Sequence, residues 1–346
     1  MKDDAPTQPT LRTIAEISGL AIPTVSRALS DAPDIGKKTK ERVKKIAEEI
    51  GYVPNRAGLR LKTGKTNVIA LVLSTDHGIV NRSARLIASA AGALRGTRYH
   101  LNVTPYFPGE DVLVPIKYIV ETKSADAIIL NQTEPDDPRV EYLMRLGFPF
   151  VTHGRTGFAE QHRYYDFDNY AFTEQAVKLM ATKNRRRLLA IAPPEHQTYS
   201  QHIRAALQDC GVRYGIKTGV LQGATSDDPD DHIFTKLKQC LGTHPDIDCL
   251  LAASTPAAMY STAAIEAIGK SVGKHIDLVG KETTPLLHLF RPAIITYFED
   301  ITKAGQYLAE AAIRAVEAPN EPIDQFLEVP TLADFLSGQE YMNDQK

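Results

Sequence analysis

The stretch Leu11 to Leu29, LRTIAEISGLAIPTVSRAL, constrains this chain more than any other. Leu11, Ile14 and Ala15 recur at helical spacing, and Thr10 stands where a side-chain oxygen can cap the first free N–H groups. Gly19 follows as a left-handed stop, and the pattern resumes with Pro23, Val25, Ala28 and Leu29. Two short helices joined by a few residues that include a glycine form a helix-turn-helix. Thr24, Ser26 and Arg27 fall on the polar face of the second helix, where such side chains reach a phosphate or a base edge.

Charge is distributed to match. Residues 1–65 hold 13 Lys and Arg against 8 Asp and Glu, whereas the remainder holds 27 against 34. A basic head on an acidic body implies that only the head meets a polyanion. After the helix pair, Asp31, Pro33 and Asp34 mark a loop over Ser30 to Gly36. The spacing of Val43, Ile46, Ala47 and Ile50 predicts a third helix from Thr39 to Ile50, ended by Gly51 and blocked by Pro54. Lys37, Lys38, Lys40, Lys44 and Lys45 line its outside, as a solvated face or as phosphate contacts.

Residues 10–66, TLRTIAEISGLAIPTVSRALSDAPDIGKKTKERVKKIAEEIGYVPNRAGLRLKTGKT, resemble the DNA-binding head of the lactose-repressor (LacI/GalR) family. The resemblance rests on Thr-Val-Ser-Arg at 24–27, on Thr39 with Arg42-Val43, and on Gly51-Tyr52-Val53-Pro54-Asn55, in order and spacing. It implies that Ile22, Pro23 and Arg27 face bases and that Thr10, Thr24 and Ser26 face phosphates, with Leu11 beside them. It also implies a hinge helix over Asn55 to Lys62 that orders on DNA, with Asn55, Arg56 and Gly58 in contact and Leu61 inserted in the minor groove. A wedged leucine unstacks a base step and kinks the duplex, and eight residues are too few for a stable free helix. Ala21 departs from the family's capping serine, and Pro23 offers a base none of the hydrogen bonds of a glutamine. Gly64-Lys65-Thr66 lacks the earlier glycine of a phosphate-binding loop and is set aside.

From Val68 onward short aliphatic runs alternate with helical patterns. Strands are expected at Val68–Ser74, Leu101–Thr104, Ala127–Leu130, Phe148–Thr152, Leu188–Ile191, Cys249–Ala252, Ile276–Val279 and Ile294–Tyr297. Helices between them include Arg82–Leu94, Phe172–Thr182, Ile203–Cys210, Ala257–Ile268 and Ala304–Val316. Such alternation implies parallel sheets covered by helices, in two α/β halves. The expected fold is thus an all-α helix-turn-helix head (10–54), a hinge helix and linker (55–65), and an α/β body (66–330). By resemblance the body is a periplasmic-binding-protein-like effector and dimerisation domain of two Rossmann-like subdomains. One takes in about 66–169 and 298–328, the other about 170–297 and 329–340.

Open sheets bind ligands beyond the carboxyl ends of their strands, so polar residues there are the candidate effector contacts. They are His77 and Asn81, Asn131, His153 and Arg155, Asp168, Gln197 and Tyr199, Thr255, and Glu282. Gln132, Asn169 and Lys281 fall in the same positions, with Tyr164, Tyr165 and Phe167 near the crossover. Asp168 and Arg155 match family positions that touch effector. Tyr199 stands where an arginine is usual, Thr255 where aspartate is usual and Glu282 where a shorter aspartate is usual. Hydrogen-bonding groups beside aromatic surface suit a neutral sugar, disaccharides included.

The expected function is a repressor that binds a pseudo-palindromic operator as a homodimer and is released by a small sugar; a corepressor-dependent regulator is the alternative. An α/β sugar-processing enzyme is a further reading. Against it, there is no G-x-S-x-G, no G-x-G-x-x-G and no metal-spaced His/Cys set, and Asp166 and Asp168 are read as diverging from an extended piece. No catalytic residue, metal or cofactor is assigned. Residues 331–346 are too short and polar for a tetramerising heptad helix. No apolar run approaches the ~20 residues of a membrane span, and MKDDAPTQPT is no secretory signal, so the cytoplasm is expected. Cys210, Cys240 and Cys249 read as buried free thiols.

Overall fold

The structure, a computed structural model, describes residues 9–53, 60, 64–75, 80–107, 109–228 and 230–337. The chain divides into two compact units, Met1–Thr66 and Asn67–Lys346.

In the first unit, helices α1 (Leu11–Ser18), α2 (Ile22–Leu29) and α3 (Lys37–Glu49) pack on one another. Thr10 caps α1 reciprocally. Its hydroxyl accepts from the Thr13 N–H, and its own N–H donates to the Thr13 hydroxyl at 3.1 Å. Gly19 ends the helix at φ 68°, a left-handed conformation that costs glycine little. Helix α2 starts from Ala21 with no side-chain cap. Helix α3 begins two residues earlier than the apolar spacing predicts, because its first turn, residues 37–40, is wholly polar and carries no apolar periodic signal. Ile14, Val25, Ala28, Val43 and Ala47 form the core, with Leu11, Ile35 and Tyr52 packed against it. Each large aliphatic side chain buried here contributes about 1.5–3 kcal/mol. Arg42 closes the arrangement by donating to the Ser18 carbonyl at 2.8 Å, at the end of α1.

The second unit holds two sheets. The first has the order β11-β5-β4-β3-β1-β2, all parallel: β1 (Val68–Ser74), β2 (His100–Tyr106), β3 (Ala127–Asn131), β4 (Phe150–His153), β5 (Arg163–Phe167) and β11 (Gln325–Glu328). The second has the order β12-β10-β9-β8-β6-β7: β6 (Arg187–Ile191), β7 (Lys217–Val220), β8 (Cys249–Ala252), β9 (Asp277–Glu282), β10 (Ile295–Phe298) and β12 (Phe335–Ser337). Its strands are parallel except β12, which runs antiparallel to β10. Both orders reverse direction beside the first strand of the sheet, which opens a crevice at the strands' carboxyl ends.

Helices α4 (Val80–Ala93) and α12 (Ile301–Glu317) cover one face of the first sheet, and α5 (Leu113–Thr122) and α6 (Pro138–Leu146) the other. Helices α7 (Asn169–Thr182) and α8 (Thr198–Tyr214) cover one face of the second sheet. Helices α9 (Asp230–Thr243) and α10 (Thr255–Ala267), with the short α11 (Leu287–Phe290), cover its other face. The buried strands are continuous aliphatic runs, as expected where helices lie on both faces. The chain passes between the halves at Phe167–Asn169, at Phe298–Ile301 and after Glu328.

Strands β7, β11 and β12 are not legible as aliphatic runs. They are three or four residues long, lie at sheet edges, and β7 and β11 are only partly buried. Strand β5 is complete where the sequence suggests only an extended piece. Strand β4 starts at Phe150 rather than Phe148, because Pro149 has no N–H to give a ladder. Cys210 and Cys249 are buried, but Cys240 is half-buried, near the β7 edge of its sheet; all three are free.

Candidate DNA-binding face and effector cleft

Of the residues assigned to DNA in the head, Thr10, Ile22, Pro23 and Arg27 are exposed, and Thr24 and Ser26 are half-buried. Leu11 is half-buried and packs against the head's core. Asn55, Arg56, Gly58 and Leu61, with most of the expected hinge helix, lie outside the described residues. The lysine face is not uniformly free. Lys40 and Lys44 meet the Asp31 carboxylate at 3.2 and 3.8 Å, and Lys45 pairs with Glu49 at 3.9 Å. The Asp31 carboxyl is accordingly held below its usual range by the hydrogen bond and charge of Lys40. Lys37 and Lys38 are exposed. Arg27 itself lies 2.6 Å from the carboxylate of Asp34.

In the body, the carboxyl ends of β3, β4 and β5 converge with the start of α8 and the ends of β9 and β10. Asn131, His153 and Tyr199 line a shared cavity with Gln132, Asp166 and Lys281. The cavity measures about 40 Å³. Among the contacts between the halves, the Thr198 N–H donates to the Thr133 carbonyl at 2.9 Å, and Arg85 donates to the Thr283 carbonyl at 2.5 Å.

A charged network runs through this cleft. Arg155 Nε donates to Asp166 at 2.6 Å, and its Nη2 stands 3.8 Å from Asp168. The two carboxylates therefore converge on one guanidinium, contrary to the divergence expected from sequence. Residues two apart on an extended chain share a face. Asp168 also caps α7, accepting from the N–H groups of Tyr170 and Ala171 at 3.1 Å each. Lys281 is buried, donates to Asn169 at 3.0 Å, pairs with Glu299 at 2.9 Å and sits 4.6 Å above the Phe167 ring. Burial pushes the Asp166 carboxyl up to about 6, against the pull of Arg155 and with the repulsion of Asp168 and Glu299. The same burial pushes the His202 imidazole down. Arg155 adds to that shift and Asp168 opposes it, which places His202 within the field of this pair.

Other assignments fall elsewhere. Gln197 is buried at the start of α8, where its Oε1 has no hydrogen-bond partner among the described residues. Glu282 is buried, and its Oε2 accepts from the N–H groups of Leu286 and Leu287 at 2.9 Å each, a capping role for that oxygen. Thr255 opens α10 and does not line the cavity. His77 lies outside the described residues, as does the side chain of Asn81, whose backbone is in α4. Glu299 and His202 were missed. Glu299 directly follows β10, where the post-strand rule would have found it, and His202 stands three residues after Tyr199 on the same helical face.

Comparison with known proteins decides the affiliation. Residues 10–55 match the model for bacterial regulatory proteins of the lacI family, and residues 177–334 match that for a periplasmic binding protein-like domain. The chain belongs to the LacI family of transcriptional regulators. It is 29% identical to the HTH-type transcriptional regulator AglR of Rhizobium meliloti over 88% of this chain and 87% of that one. It is 27% identical to the regulator CelR of Thermobifida fusca over 93% and 96%. Two solved structures share the fold. One is a CelR–cellobiose complex (TM-score 0.67, 21% identity, covering 93% of this chain and 97% of that one). The other is the lac repressor dimer bound to operator and the anti-inducer ONPF (TM-score 0.77, 18% identity, 93% and 97%). The two-sheet α/β body and helical head expected of a LacI-family member are the architecture found. Among the described residues no helix is long and apolar enough to cross a membrane.

Proposed function

We propose that this LacI-family regulator is a cytoplasmic repressor that binds a pseudo-palindromic operator as a homodimer and is released by a neutral mono- or disaccharide held between the two halves of its body. The observation that carries the reading is the cleft itself. Carboxylates, amides, a guanidinium and an imidazole converge there beside Phe167 and Tyr199. Fixed donors and acceptors next to aromatic surface suit a hydroxyl-rich ring with an apolar face. The solved CelR structure that shares this fold is a complex with cellobiose, which supports a sugar here.

A ~40 Å³ cavity is far below the ~300 Å³ at which ligand sites begin. This supports a reading in which the halves part to admit the sugar, loosening contacts such as Thr198–Thr133 and Arg85–Thr283. A ligand that binds one arrangement of the halves better than the other shifts their equilibrium and, through one coupling free energy, the affinity for DNA. In the head, Ile22, Pro23, Thr24, Ser26 and Arg27 are the proposed contacts of α2 with DNA, and Asn55, Arg56, Gly58 and Leu61 those of the hinge. The proposed domain limits are 10–54, 55–65 and 66–330.

The test is binding to a fluorescent pool of palindromic DNA at stated salt, with and without a panel of mono- and disaccharides. Release by one sugar is expected. Tightening by a sugar would make the protein a corepressor-dependent regulator, and release only by an acidic metabolite or a purine would overturn the sugar assignment.

A further inference from the structure

The recognition helix carries an ion pair that neither stability nor phosphate binding explains. Arg27 Nη2 lies 2.6 Å from Asp34 Oδ2, with both side chains about half exposed. A pair so open to water adds little to folding, and a carboxylate beside a DNA-facing helix repels phosphates. Yet the backbone that carries Asp34 is tied down. Its loop is tied back to α2 by the Ala32 N–H donating to the Arg27 carbonyl at 3.0 Å. Lys40 pins the loop to α3, donating to the Asp31 carbonyl at 3.1 Å, and Ile35, the next residue after Asp34, packs into the head's core. Pro33, immediately before it, has its φ fixed by the ring.

We propose that Asp34 is a positioning residue that holds the Arg27 guanidinium in the orientation that reads a guanine in the operator. The inference rests on the head being the operator-binding unit. A guanidinium has five N–H donors, and this contact is made by one nitrogen, Nη2. The remaining donors can bridge O6 and N7 of a guanine while the carboxylate fixes the plane of the fork. A long side chain ordered before binding loses less freedom on contact. The negative charge of Asp34 also weakens binding to DNA in general, so positioning and repulsion both raise discrimination between operator and other sequences.

The test uses the full-length protein with Asp34→Ala, Arg27→Ala and the double variant, each checked for native helicity. Binding is measured to the selected operator, to an operator changed at the base pair sensitive to Arg27, and to unrelated DNA at one salt concentration. Asp34→Ala should lower the preference for operator over the changed operator about tenfold, leave unrelated DNA bound equally or more tightly, and have no further effect once Arg27 is alanine. An equal change on all three DNAs, or an effect of Asp34→Ala that persists without Arg27, would overturn the positioning role alone. A wild type with no sequence preference would overturn the repressor reading and the inference together.

Discussion

Lys281 gives the most decisive perturbation of the body. Its ammonium is buried between the Glu299 carboxylate at 2.9 Å and the Asn169 amide oxygen at 3.0 Å, over the Phe167 ring. These partners come from three places: the chain segment leaving β10, the start of α7 and the end of β5. Lys281→Met keeps the length of the stem but removes the cation, leaving Glu299 charged and 6% exposed. Breaking a buried pair from one side costs about 3–5 kcal/mol. At roughly 2–4 °C per kcal/mol for large chains, the body should melt about 10 °C lower. The double variant Lys281→Met/Glu299→Gln removes the uncompensated charge and should recover at least half of the loss. Thermal and urea unfolding followed by far-ultraviolet circular dichroism measures both. A single variant within about 1 kcal/mol of wild type, or a double variant no better than the single, would refute the buried-pair argument.

Helix α2 lacks a side-chain cap at Ala21, so Ala21→Ser should stabilise the head by about 1 kcal/mol, read as a higher urea midpoint of its unfolding. Gly305 packs α12 against α4 so closely that an added Cβ would lie 2.6 Å from Ser89 Cβ and 3.0 Å from the Ala90 nitrogen. Gly305→Ala should therefore cost about 1–3 kcal/mol or more in urea unfolding, partly recovered by adding Ser89→Gly. Asp166 makes stability depend on pH. Its folded carboxyl sits at about 6, raised by burial from the 3.8 of an ordinary aspartate. The stabilisation linked to its proton is full below pH ~4 and is lost as pH rises through ~6. Wild type should therefore lose on the order of 2–3 kcal/mol relative to Asp166→Asn between pH 4 and 7. Denaturation midpoints across that range that move in parallel would count against it.

The head was legible because its signals are local. A cap, a glycine stop, a helical period and a basic face all lie within a few residues of one another, and the structure repeats them in Thr10, Gly19, Ile14, Val25 and Val43. The central strands were legible for a similar reason: burial on both faces forces unbroken aliphatic runs such as Val68–Ser74 and Cys249–Ala252. Edge strands β7, β11 and β12 are short, β7 and β11 carry mixed side chains, and all exist as strands only because a neighbour supplies the ladder.

The cleft depended on tertiary structure in a different way. Sequence order could nominate polar residues after strands, and Asn131, His153 and Tyr199 do meet in one cavity. It could not foresee that Glu282 Oε2 would take two backbone N–H groups, or that Lys281, Glu299 and Asn169 would share one buried charge. The ion pairs that occupy Arg27, Lys40 and Lys44 were equally hidden, since Asp31 and Asp34 read only as turn residues. Periodicity and capping are properties of adjacent residues, so the sequence alone determined the helix-turn-helix head and the α/β alternation. The partners of a charge are set by how the chain folds back, over a loop for Arg27 and Asp34 or over more than a hundred residues for Lys281 and Asn169, and only the folded chain decided them.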